Sequence, residues 1–108
     1  MGSSNEQRVV PSPVLVEVDY FVPARAFELL LADVRRGAFY VEDLHPLDYE
    51  RVKDLLGVYE DLDLGFVDAA VLAVVERLGE RRLATLDHRH FAVMRPQHVA
   101  ALELLPAA

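Results

Sequence analysis

The sequence predicts an α/β fold with a mainly parallel sheet. Short β-branched or apolar runs around Val9-Val10, Ala38–Val41, Arg82–Leu86 and Ala101–Leu105 suit strands. Between them lie longer stretches whose apolar residues recur at helical spacing, and strands separated by helices pair in parallel. The chain has 108 residues and is 53% hydrophobic, enough to fill the core of one small domain and too apolar for a disordered chain.

Each element has a local rationale. Met1 to Gln7 is polar and is expected to be a disordered N-terminal segment, leaving 8–108 as the folded domain. Arg8-Val9-Val10 is stopped by Pro11. Ser12 is a good N-cap and Pro13 a good first helical residue, which predicts a helix over Pro13–Val22 ended by Pro23. Phe27, Leu30, Leu31 and Val34 give one buried stripe to a second helix, Ala24–Arg36, with Gly37 suited to the left-handed position after it. A third helix, Pro46–Tyr59, carries Leu47, Val52, Leu55, Leu56 and Tyr59. Asp63 is a plausible N-cap for a fourth, Gly65–Leu78, which is so apolar from Ala69 to Val75 that burial on most sides is expected before Gly79 ends it. His88–Phe91 reads as a short helical piece and Ala92-Val93-Met94 as extended.

Composition narrows the function. With 11 Lys and Arg against 18 Asp and Glu, the net charge is −7, which excludes binding nucleic acid through global positive charge but leaves room for a local basic rim. The absence of cysteine rules out disulfides, thiolate metal sites and Cys nucleophiles, and fits a cytoplasmic protein. No segment reads as a signal peptide or a membrane span: the longest apolar stretch, Leu64 to Val75, is interrupted by Asp68 and falls short of the roughly 20 residues a bilayer requires.

Three carboxylates sit in apolar surroundings: Glu17 within Val14-Leu15-Val16-Glu17-Val18, Asp68 at the start of the fourth helix, and Asp87 just after the strand Leu83-Ala84-Thr85-Leu86. A carboxylate on a buried segment is costly unless it is paired, hydrogen-bonded or bound to a cation. Asp87 lies where a strand meets a loop, the end at which parallel sheets gather ligands. If the three converge, their hard oxygen donors suit Mg²⁺ or Mn²⁺. Each also has an ordinary structural reading. Asp68 could stabilise its helix start, Asp87 could end a strand, Glu17 could face solvent or pair with Arg25, and Thr85 could simply be a β-former. Arg81, Arg82, Arg89 and Arg95 form either a solvated surface or a rim for phosphates. His88 and His90, two apart, do not share a helix face and make a poor metal pair.

Together these segments resemble the PIN-domain ribonucleases, and within them the VapC-type toxins of toxin–antitoxin pairs. The resemblance is carried by Val9-Val10-Pro11-Ser12-Pro13-Val14-Leu15-Val16-Glu17-Val18-Asp19-Tyr20, by Asp63-Leu64-Gly65-Phe66-Val67-Asp68-Ala69-Ala70-Val71 and by Leu83-Ala84-Thr85-Leu86-Asp87-His88-Arg89-His90-Phe91, and it runs from Val9 to Leu105. It implies a PIN-like three-layer α/β/α fold and a metal-dependent endoribonuclease. It also implies an acidic cluster of Glu17, Asp68 and Asp87 on Mg²⁺ or Mn²⁺, with Thr85 as its small polar neighbour and Arg89 beside the RNA backbone. Asp19, two residues beyond Glu17, points elsewhere on a helix and is not carried over. Family members begin with a strand ending in aspartate, for which this sequence has no counterpart, so the domain is expected to be N-terminally truncated. A strand central to the sheet would then be missing, leaving two edges unpaired. An upstream gene start, a contribution from another chain and a degenerate remnant each account for this.

The expected function is therefore that of a cytoplasmic Mg²⁺- or Mn²⁺-dependent endoribonuclease toxin hydrolysing RNA phosphodiester bonds, with weak or no activity in this truncated form. The expected partners are RNA, a cognate antitoxin and a second copy of the chain, with no membrane. The alternative is a catalytically inactive PIN-like binding or dimerisation module that engages an antitoxin.

Overall fold

The computed structural model describes residues 8–84 and 88–105, in two compact units that divide between Asp43 and Leu44. The first unit contains β1 (Val9–Pro11), α1 (Ser12–Phe21), α2 (Ala24–Arg35) and β2 (Tyr40–Glu42). β1 and β2 pair in parallel, with Val9 opposite Tyr40, Val10 opposite Val41 and Pro11 opposite Glu42. Parallel neighbours need a crossover connection, and α1 and α2 supply it. The helix starts one residue earlier than the sequence predicts. Pro11, extended at φ −60° and ψ 135°, is the N-cap in place of Ser12, and no side chain caps the end. Pro13 still falls in the first turn, where its missing N–H costs nothing. Val22 closes α1 through a hydrogen bond to the Val18 carbonyl, and Pro23 then serves as the N-cap of α2.

Gly37 takes the left-handed conformation at φ +90°, as its sequence position predicts. Its N–H donates to the Val34 carbonyl while Ala38 N–H donates to that of Asp33, a double closure that satisfies the last carbonyls of α2. Because Ala38 is committed to ending the helix, β2 begins at Tyr40 rather than at the predicted Ala38.

The second unit contains α3 (Pro46–Val58), a 3-10 turn (Glu60–Leu62), α4 (Phe66–Leu78), β3 (Arg82–Ala84), α5 (His88–Val93) and β4 (Glu103–Leu105). β3 and β4 are again parallel, with Leu83 opposite Leu104. At the start of α3 the Asp48 carboxylate accepts the His45 N–H at 2.8 Å, tying the first turn to the residue before it. Asp63 does not cap α4. It closes the 3-10 turn in a left-handed conformation at φ 58°, which aspartate tolerates better than most residues, and α4 starts at Phe66 with Gly65 as N-cap.

α4 packs on α3 and α5, and every residue from Ala69 to Val75 is buried. Val52 and Leu55 of α3 complete the contact. Gly79, left-handed at φ 71°, ends α4 through the same double closure as Gly37, with Gly79 N–H donating to Glu76 and Glu80 N–H to Val75. α5 runs through Ala92 and Val93, which the sequence predicts to be extended. Phe91 and Met94, three apart, are both buried, so the segment presents one apolar side at helical spacing.

Burial sets the expected cost of mutation. Leu72 is fully buried whereas Leu47 is 81% exposed. Leu72→Ala should lower the urea-measured unfolding free energy by about 2–5 kcal/mol, and Leu47→Ala by less than about 0.5 kcal/mol.

Candidate active site

Glu17 lies midway along α1 and is exposed. Arg25 of α2 makes an i,i+3 ion pair with Glu28 at 3.7 Å. Asp68 is half-buried at the third position of α4, in a first turn where the free N–H groups of the helix favour negative charge. The residues after it are buried without a break, so the backbone that carries this carboxylate is held firmly. Glu17 belongs to the first unit and Asp68 to the second.

Thr85 and Asp87 lie outside the described residues. In the chain they follow the carboxyl end of β3 and precede α5. Arg89 is on α5, with its side chain outside the description. Among the described residues no group of three or more Asp, Glu or His is gathered closely enough to hold a metal ion. The donors on offer at Glu17 and Asp68 are carboxylate oxygens, the type that suits Mg²⁺ or Mn²⁺.

A second group of polar residues was not anticipated from the sequence. Arg51 of α3 makes a bidentate pair with Glu76 of α4, Nε to Oε1 at 2.8 Å and an Nη to Oε2 at 2.9 Å. One turn away on α3, the Asp48 carboxylate accepts Arg77 Nε at 2.9 and 3.2 Å. The carboxylate side chains are only 8% and 5% exposed, so these are pairs withdrawn from water. The hydrogen bond to Glu76 outweighs burial and raises the Arg51 pKa above its ordinary value. The stability gained from that shift is present at every pH below the ordinary arginine value, and so is constant across the neutral range. The available signal was Glu76-Arg77 at the end of the most apolar helix, facing Asp48 and Arg51 three apart on α3.

The same helices hold the chain beyond α5. Tyr59 Oη accepts the Arg95 N–H at 2.8 Å, and Glu76 Oε2 accepts the Gln97 N–H at 2.8 Å. The His98 ring contacts the Glu80 carbonyl through Nε2.

Parallel strand pairs joined through helices make this an α/β protein, an architecture consistent with a PIN-like fold. No protein-family model matches the chain. Over 100 residues it is 32% identical to Ribonuclease VapC26 of Mycobacterium tuberculosis, an alignment covering 89% of this chain and 74% of that protein. The chain belongs to the VapC-type PIN-domain ribonucleases, a family of toxin–antitoxin nucleases. Among the described residues no helix is long and apolar enough to cross a membrane.

The buried pairs make a prediction that separates pairing from packing. Glu76→Ala strands Arg51 against α4 and should cost about 3 kcal/mol in chemical denaturation, the low end for breaking a buried pair because Arg51 keeps some contact with water. Arg51→Met/Glu76→Met replaces both charges with apolar groups of similar length, and its stability should stay within about 1 kcal/mol of the parent.

Proposed function

We propose that the chain is a Mg²⁺- or Mn²⁺-dependent endoribonuclease whose acidic cluster is Glu17, Asp68 and Asp87, within one PIN-like domain spanning 8–108. The observation that carries this reading is Asp68, a half-buried carboxylate fixed at the first turn of a helix buried from Ala69 to Val75, in a chain of the VapC-type family. The divalent ion supplies an activated water and neutralises charge developing on the phosphodiester. Asp68 and Glu17 offer it hard oxygen ligands, directly or through water. Asp87 follows the carboxyl end of β3, where ligand sites of parallel sheets collect. Thr85 supports the cluster with its hydroxyl, and Arg89 steers the RNA backbone towards it.

Without the ion the three carboxylates repel RNA. A basic segment of a cognate antitoxin has the complementary charge and engages the same site. We assign the protein to the cytoplasm and to a homodimer.

Two measurements test this. Saturating Mn²⁺ at about 100 times its dissociation constant should stabilise the parent by about 2.7 kcal/mol in a thermal melt and leave Asp68→Asn unmoved. Cleavage of a single-stranded RNA should require Mn²⁺, vanish with EDTA and fall at least about 100-fold in Asp68→Asn or Asp87→Asn, the scale for losing one group that stabilises transition-state charge. Equal cleavage by parent and variants, or cleavage that survives EDTA, would refute the assignment. Antitoxin binding without metal-dependent cleavage would make the chain an inactive binding module.

A further inference from the structure

The segment after α5 is held by side chains that the proposed chemistry does not use. Two successive contacts are made to its backbone: Tyr59 Oη takes the N–H of Arg95, and Glu76 Oε2 takes the N–H of Gln97. The two acceptors come from different elements, Tyr59 from the end of α3 and Glu76 from the end of α4. The two acceptors are held differently, Tyr59 by its backbone and Glu76 by its carboxylate. Tyr59 donates its own N–H to the Leu55 carbonyl, one turn back on a fully buried residue. Glu76 is gripped by both nitrogens of the Arg51 fork. On the other side of the contacts, Phe91 and Met94 anchor α5 in the core. The bidentate guanidinium fixes the orientation of the nearly buried Glu76 carboxylate, whose Oε2 is thereby presented to a third group.

We infer that Tyr59 and Glu76 are positioning residues for α5, the helix that follows directly on Asp87 and carries Arg89, holding it through the Arg95 and Gln97 amides. The inference rests on the nuclease reading for what α5 positions, but not for the clasp itself. Arg51 has a secondary part: it orients Glu76. The clasp fixes the carboxyl-terminal side of α5.

The test uses the full chain. Tyr59→Phe removes one acceptor at almost constant volume. Arg51→Met/Glu76→Met removes the other while sparing the fold a stranded charge. Arg51→Gln/Glu76→Gln is the conservative variant, which loses the charges and keeps an amide oxygen for Gln97. Amide hydrogen exchange over residues 91–98 and Mn²⁺ affinity by calorimetry are read for each, at a temperature where all are folded. Combining Tyr59→Phe with the double Met variant should speed exchange over 91–98 by at least about tenfold while exchange in the middle of α4 stays unchanged. Mn²⁺ affinity should fall about tenfold, the low end for losing support to a metal site, and the double Gln variant should stay near the parent in both readouts. Unchanged exchange at 91–98 would overturn the clasp. Faster exchange with parental Mn²⁺ affinity would overturn its positioning role. A parent that binds no Mn²⁺ refutes the nuclease reading on its own, and the exchange data then still decide whether Tyr59 and Glu76 hold the segment.

Discussion

The burial of α4 is the constraint on which the second unit depends. From Ala69 to Val75 every side chain is out of water, so the helix has no solvated face along its middle. It contains Val71, Val74 and Val75, whose branched side chains lower helix propensity, and it is held by packing more than by propensity. Ala69, Ala70 and Ala73, all buried, add little side-chain bulk to the helix. A helix enclosed in this way can carry polar groups only at its ends. Asp68 occupies one end and Glu76-Arg77 the other, about 12 Å apart at 1.5 Å per residue.

The two ends carry charge of different consequence. Asp68 stands where the helix favours an anion, and Arg77 stands in the last turn where it favours a cation. Glu76 has the wrong sign for its place. Its charge is offset by Arg51 from α3 and by the Gln97 amide, so an unfavourable helix position becomes a junction for three segments. Asp48 adds to the arrangement: it serves the first turn of α3 through His45 N–H and receives Arg77 from α4. Because the start of α3 meets the end of α4, the two helices run antiparallel, as a short connection between packed helices requires.

How much of this could be read in the sequence follows from which interactions are local. The four longer helices, their ends at Gly37 and Gly79 and the enclosure of α4 come from spacing and backbone conformation, which a few neighbouring residues specify. The misses were also local, but they turned on competition. Asp63 can cap a helix or close a turn in the left-handed region, and the 3-10 turn before it decided for the turn. Ala92 and Val93 suit a strand, but burial of Phe91 and Met94 on one side drew them into α5. The ion pairs were out of reach because Asp48, Arg51 and Arg77 on helices read as solvated faces until the partner helix is known. For the site, Asp68 stood out by charge in an apolar run. The grouping of Glu17 with Asp68 and Asp87 came from family resemblance, since residues that far apart share no spacing.

The two ends of α4 contribute differently to stability. Buried ion pairs contribute little net stability compared with apolar replacements, yet losing one partner is costly. Replacing one member of either pair, Glu76 with Arg51 or Asp48 with Arg77, therefore costs more than replacing both. Asp68 is under no such coupling to the pairs at the far end. Its end of the helix favours negative charge, which lowers the cost of a half-buried carboxylate there. The same helix thus carries a carboxylate at the end that favours negative charge and two cross-helix ion pairs at the other, with an uncharged, fully buried segment between them.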